Sequence, residues 1–183
     1  RSVHFPQITQ DMQAFILYPS GTSGKPKGAP LTHGNVVSVL KAGMEWLEDW
    51  GAVREKVLGV LPMFHIYGLA LNYALPLSIG AEMVLVPAPK PKLYQAAITK
   101  TRPTVLPGVP TLYDKIIEWA VETNADLSSI HTSISGASTL PVETIERWEN
   151  ATGGRLIEGY GLTETAPILA GNPLDGTRRP GYI

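Results

Sequence analysis

Short apolar runs alternate along this chain with longer stretches in which apolar residues recur every three or four positions. Ala14–Tyr18 predicts a strand, followed by a loop of Gly, Ser, Thr and Lys. Thr32 is placed to cap a helix over about Asn35–Trp50, with Val36, Val37, Leu40, Met44 and Leu47 along one face. Val57–Leu61 predicts the next strand, then a turn at Pro62–His65 and a helix over about Leu69–Ile79. Glu82–Val86 reads as a strand and Pro87–Pro91 as a Pro-rich loop. Further helices are predicted at Leu93–Lys100, at Pro110–Thr123 with Pro in its first turn, and at Pro141–Ala151. Short strands fall at Thr104–Leu106, Ser133–Ser135 and Arg155–Glu158.

Strand and helix in steady alternation imply right-handed crossovers. The expected fold is α/β, with a mostly parallel sheet covered by helices on both faces. Ligands of such sheets bind beyond the carboxyl ends of the strands, so the segments that follow each strand are the places to look for chemistry. No internal repeat and no low-complexity run interrupts the pattern.

Composition narrows the picture. Only 17% of the 183 residues are charged, below the usual quarter, so much of the chain is expected to be buried rather than disordered. A net charge of −1 gives no basic surface for nucleic acid or for an anionic membrane. Zero cysteines exclude a disulfide framework, a thiolate metal site and a catalytic Cys, and are compatible with a cytoplasmic location. Val57–Ala81 lacks Asp, Glu, Lys and Arg, which raises a membrane span. Pro62, His65, Gly68, Asn72 and Pro76 interrupt it, and a buried strand, loop and helix fit better. No transmembrane segment and no signal peptide are expected. The run Arg178–Ile183 reads as mid-loop, so the chain is expected to be an excised fragment.

Three post-strand segments carry candidate chemistry. Ser20-Gly21-Thr22-Ser23-Gly24-Lys25-Pro26-Lys27-Gly28 combines small residues, hydroxyls and two lysines, as a phosphate cradle requires. It is not a Walker loop, because Pro26 follows Lys25 where a metal-binding hydroxyl would stand. On composition alone a flexible surface loop is the competing, less favoured reading. Pro62-Met63-Phe64-His65-Ile66-Tyr67-Gly68 sets one His among apolar and aromatic residues, which taken alone is more often the pattern of a satisfied core histidine than of a functional one. Glu158-Gly159-Tyr160-Gly161-Leu162-Thr163-Glu164 lets an aromatic face lie against a flat ligand. Its Thr163 hydroxyl and Glu164 carboxylate together suit a phosphate with a hard cation, although glycines around a Tyr are also common in turns.

Taken in order, and with Ser135-Gly136-Ala137-Ser138-Thr139-Leu140-Pro141 just before the last of them, these motifs resemble the adenylate-forming superfamily. That group holds acyl-CoA synthetases, firefly-type luciferases and the adenylation domains of nonribosomal peptide synthetases. The stretch Asn172–Gly181 and the run Gly108–Tyr113 look most like bacterial long-chain fatty acyl-CoA ligases. The resemblance implies that residues 1–183 are the central part of an N-terminal adenylation domain. It also implies a reaction in which a carboxylic acid attacks the α-phosphate of ATP and the acyl group then passes to a thiol, usually CoA.

Carried over, Ser20, Gly21, Thr22, Ser23, Gly24, Lys25 and Lys27 would hold the β- and γ-phosphates of ATP. Gly136, Ala137 and Ser138 would line the adenine, with Glu158 and Gly159 near its polar edge, Tyr160 stacked on the base, and Gly161 and Leu162 completing the shelf. Thr163 would bond the α-phosphate and Glu164 would ligate Mg²⁺. His65 would sit between the acyl carboxylate and the thiol channel. Tyr67, Val109, Thr111 and Gly161 would line the acyl pocket. In this reading Lys27, His65, Thr163 and Glu164 serve catalysis. Pro19 stands where the family usually has Thr, and Ser23 replaces the commoner Thr. The family's ribose-binding Asp and its C-terminal domain with the catalytic Lys have no counterpart here, so the chain alone is expected to be inactive. The competing readings are a P-loop phosphotransferase, an adenylation domain that loads a carrier-protein thiol, and a non-catalytic nucleotide- or acyl-binding module.

Overall fold

The computed structural model describes residues 6–19, 27–47, 54–175 and 177–183. A two-stranded antiparallel hairpin opens it, β1 (Gln13–Leu17) against β2 (Ala29–Thr32), with Phe15 opposite Leu31 and Leu17 opposite Ala29. Helix α1 (His33–Trp46) follows without a gap. Thr32 caps it: its hydroxyl accepts from the Asn35 N–H at 3.1 Å, and its own N–H donates to Asn35 Oδ1 at 2.9 Å. The helix therefore starts two residues before the predicted Asn35, and Val37 on its expected inner face is exposed.

The six-stranded sheet runs β4-β3-β5-β6-β7-β8. Strand β3 (Lys56–Gly59) leads into α2 (Ile66–Gly68), a π-helical turn (Leu69–Ala74) and α3 (Leu75–Ser78), which form one unbroken helical run. Then come β4 (Glu82–Leu85), α4 (Pro91–Thr101), β5 (Val105–Gly108), α5 (Pro110–Thr123), β6 (Thr132–Ser135) and α6 (Val142–Thr152). Strand β7 (Arg155–Gly161) and β8 (Ile168–Gly171) close the order. Strands β4, β3, β5, β6 and β7 are mutually parallel. The edge strand β8 is antiparallel to β7. The mostly parallel α/β sheet expected from the sequence is therefore present, with two antiparallel strands, β2 and β8, that the hydrophobic pattern did not announce.

Alternation of side chains decides which helices cover which face. Leu58, Leu106 and Leu156 point into the larger core, under Tyr94 and Ile98 of α4, Tyr113 and Ile116 of α5, and Trp148 of α6. Trp148 meets Tyr113 edge-on at 4.8 Å and donates its indole N–H to the Ser133 hydroxyl at 3.0 Å. The neighbouring positions Ile134 and Ile157 point the other way, onto Leu47 at the end of α1 and Leu71 and Leu75 of the helical run. Both central strands, β5 and β6, are buried along their whole length. No helix among the described residues is long and apolar enough to cross a membrane.

Candidate functional site

The parallel strands all end on one edge, and two cavities open there. The first, of about 290 Å³, has an apolar floor of Trp46, Leu47, Leu71, Ile134 and Ile168. Around its mouth stand Pro19, His65, Gly136 and the run Gly159–Glu164. The second, of about 350 Å³, is more polar, with Ser135, Ser138, Thr139 and Glu158 in its wall. Ala137, Gly159, Tyr160 and Gly161 line both, so the half-exposed Tyr160 ring stands between an apolar chamber and a polar one. Residues separated by nearly a hundred positions in sequence, from His65 to Glu164, meet because each follows a parallel strand.

The Gly159–Glu164 segment differs from its expected shape. Gly159, Tyr160 and Gly161 are not a loop but the end of β7, held in register by Gly171, Ala170 and Ile168 of β8. The turn proper is a 3₁₀ segment at Thr163–Thr165. Gly161 is obligatory: a Cβ there would lie 1.7 Å from the Pro167 carbonyl oxygen, which accepts the Leu162 N–H at 3.0 Å. Thr165 closes the turn, its hydroxyl accepting from the Leu162 N–H at 3.0 Å and lying 2.7 Å from the Pro167 oxygen. With that work done by Thr165, the Thr163 hydroxyl and the exposed Glu164 carboxylate make no side-chain hydrogen bond among the described residues, and both face the first cavity.

His65 is not a core histidine. It is exposed, lines the first cavity and caps α2, its Nδ1 accepting the Tyr67 N–H at 3.2 Å. With Nδ1 an acceptor, the proton of the neutral ring sits on Nε2. Tyr67 also lines the cavity, but its hydroxyl is turned into the sheet, 2.6 Å from the Ile134 carbonyl and 3.1 Å from that of Gly108. From the opposite face the Tyr113 hydroxyl lies 2.7 Å from the same Ile134 oxygen. Burial raises both phenols above the ordinary tyrosine range, so they serve as neutral pins of the strand ends.

The remaining expected residues divide. Gly136, Ala137 and Ser138 lie on the cavity walls, and the buried Ser135 hydroxyl beside them has no partner among the described residues. Glu158 lines the second cavity, but its Oε2 is engaged, accepting from Asn172 Nδ2 at 2.9 Å and from the Gly181 N–H at 3.1 Å. Val109 packs against the larger core and Thr111 is exposed, and neither lines either of these two cavities. Ser20, Gly21, Thr22, Ser23, Gly24 and Lys25 lie outside the described residues. Lys27 is exposed at the start of the described chain beyond them.

Three features of the site were not among the expected site residues. Trp46 and Leu47 form part of the apolar floor, though the pattern showed only a helix. Asn172 gathers the chain's last turns, with Nδ2 also 2.7 Å from the Tyr182 oxygen and Oδ1 accepting the Arg179 N–H at 3.0 Å. Arg178 then clamps Glu149 through two bonds of 2.6 Å, which brings Gly181 and Ile183 to the wall of the second cavity.

Comparison with known proteins places the chain in a family and agrees with its fold. The model of a family described as AMP-binding enzyme matches residues 2–183. A long-chain-fatty-acid–CoA ligase of Bacillus subtilis is 41% identical over 181 residues, 97% of this chain and 32% of that protein. A mitochondrial malonate–CoA ligase of Xenopus laevis is 36% identical over 95% of the chain and 32% of its own length. Among solved structures, ATP-bound MatB from Rhodopseudomonas palustris superposes with a TM-score of 0.80 at 31% identity, over 96% of this chain and 34% of that one. The chain thus spans about a third of the length of the curated relatives it matches.

Proposed function

This chain belongs to the AMP-binding enzyme family, and from that premise we propose that it forms the nucleotide- and acyl-binding part of an enzyme that activates a carboxylic acid, a fatty acid by preference, as its adenylate and passes the acyl group to CoA. One observation carries the reading: an apolar chamber and a polar one share the Tyr160 wall, and the Thr163 hydroxyl and Glu164 carboxylate stand at the mouth of the apolar one. An acid with a hydrocarbon tail fits the first chamber and an adenosine the second, so the reacting carboxylate and α-phosphate meet beside Tyr160. The family match and the ligase relatives support the same reading.

The chemistry needs no protein nucleophile. It needs the two reactants in line and the charge on the phosphate oxygens neutralised. In this reading Gly136, Ala137, Ser138, Gly159, Gly161 and Leu162 shape the adenine shelf, with Tyr160 stacked on the base. Thr163 donates to an α-phosphate oxygen. Residues Ser20–Lys25 and Lys27 hold the outer phosphates. Glu164 fits Mg²⁺: its exposed carboxylate stands at the first cavity, and this cation characteristically takes one or two carboxylates together with substrate phosphates. When bound, Mg²⁺ would offset the phosphate charge. His65 guards the passage from the apolar chamber to the incoming thiol, while Tyr67 shapes that chamber from below. Val109 and Thr111 act on the chamber only through α5. Glu158, engaged with Asn172, shapes the base pocket and does not read the base directly.

The test is ATP–pyrophosphate exchange by the intact protein with carboxylates of increasing chain length, followed by acceptor trials with CoA and a carrier-protein thiol. Exchange with fatty acids and thioester formation with CoA are expected. Exchange without any CoA product assigns the carrier-protein acceptor, and absence of exchange with every acid removes the function. Incubated alone with ATP, Mg²⁺, CoA and fatty acids, these 183 residues are expected to form no thioester detectable by mass spectrometry.

A further inference from the structure

The histidine at the cavity mouth sits on a turn with unusual support. Leu61 and Pro62 leave β3, and the turn closes when the His65 N–H donates to the Pro62 carbonyl at 3.2 Å. The helical run then packs back on that turn so closely that a Cβ on Gly68 would lie 2.2 Å from the Pro62 oxygen and 3.1 Å from the Leu61 oxygen. One turn further along, Asn72 donates from Nδ2 to the same Leu61 oxygen at 3.0 Å.

Asn72 is 1% exposed, and its Oδ1 has no partner among the described residues. A buried, half-satisfied amide in an apolar helical run is costly, so its one bond has to hold something in place. It also lies in the π-helical turn, where the Leu75 N–H reaches back five residues to Ala70. Such turns insert an extra residue and are common at functional sites. Here, consecutive residues serve opposite purposes: Leu71 faces the apolar chamber, while Asn72 reaches back to the stem of the histidine turn.

We infer that Asn72 is a positioning residue for His65: through the Leu61 carbonyl it fixes the turn that aims the imidazole at the cavity mouth. The inference rests on the adenylate-forming reading above. It places Asn72 outside substrate contact and has it act only through the turn.

The experiment is a double-mutant cycle in the intact protein with Asn72→Ala and His65→Ala, measuring pyrophosphate exchange, thioester formation and thermal stability. Asn72→Ala is expected to slow thioester formation about tenfold, with the KM for ATP changed less than about twofold. In the His65→Ala background the same change is expected to cost less than about twofold, because the group it positions is gone. Equal losses in both backgrounds, or a loss confined to ATP affinity, would overturn the inference and leave Asn72 a structural residue. If Asn72→Ala does not fold, Asn72→Ser, which keeps a donor in a smaller volume, is read in the same cycle by the same criteria. If the unaltered protein exchanges pyrophosphate with no carboxylate, the functional reading falls and takes this inference with it. Exchange in the unaltered protein with no coupling to His65 sinks the inference alone.

Discussion

The two ends of the same parallel strands are built on opposite terms. At the amino edge, the polar groups around Glu55 satisfy one another. Glu55 is 3% exposed, accepts the Thr104 hydroxyl, and lies 3.2 Å from His131 Nε2, whose Nδ1 lies 3.0 Å from the Thr132 hydroxyl. The backbone continues the ladder beyond the strands, with Glu82 N–H to Glu55, Thr104 N–H to Lys56 and His131 N–H to Thr104, all at 3.0 Å or less. At the carboxyl edge the hydroxyls of Ser135 and Thr163 and the carboxylate of Glu164 have no such partners among the described residues, and two cavities open among them. A polar cluster that closes on itself holds the sheet, whereas one left open is a binding surface.

The largest effect that separates the two edges is expected at Glu164. In Glu164→Gln the shape is kept and the charge lost, so adenylation should fall about a hundredfold, equivalent to about 3 kcal/mol of transition-state stabilisation, with the melting temperature unchanged. Pyrophosphate exchange and calorimetry on the same preparation read both. Near-normal exchange would place Glu164 with the structural residues.

Glu55→Ala is the mirror experiment. It leaves Thr104 and His131 without their shared acceptor and should cost about 2 kcal/mol of stability in urea unfolding, with kcat unaltered. A fall in kcat without a fall in stability would break the division between the edges.

The smallest effect belongs to the rim of the amino edge. The Ser128 hydroxyl, with the Ser128 N–H at 2.8 Å and the Arg102 guanidinium at 2.6 Å, holds the exposed Asp126 carboxyl down to about 2. A depressed acid stabilises the folded state above its unfolded value, near 4, and that contribution is lost as pH falls through about 2. An NMR titration should therefore find Asp126 ionised throughout the working range, and Asp126→Asn should cost a small amount of stability that is constant between pH 5 and 8 and disappears at acid pH. An ordinary titration near 4 would remove this cluster from the closed edge.

Much of this contrast could be read in the chain before folding. Helix and strand alternation gave the parallel sheet, and glycines flanking Tyr160 marked the carboxyl edge. What escaped had no local signature. Strand β8 is a short apolar run whose direction depends on its pairing with Gly159–Gly161. Strand β2 contains Pro30, which argues against a strand unless it lies at an edge, as it does here. The satisfied state of Glu158 depends on Asn172 and Gly181, both far along the chain. Asn72 and Pro76 looked like interruptions of an apolar segment, yet Asn72 is part of the support beneath His65, and Pro76 is carried inside the helical run just after its π-helical turn. The inner face expected for α1 failed at Val37, because only the last turns of that helix reach the sheet.

Hydrogen exchange of the intact protein, with and without ATP and Mg²⁺, tests the division most directly. Protection should rise in peptides that contain Gly136–Ser138 and Gly159–Glu164 and stay unchanged in those that contain Glu55, Thr104 and Thr132. Nucleotide-dependent protection at the amino edge, or none at the carboxyl edge, would contradict it.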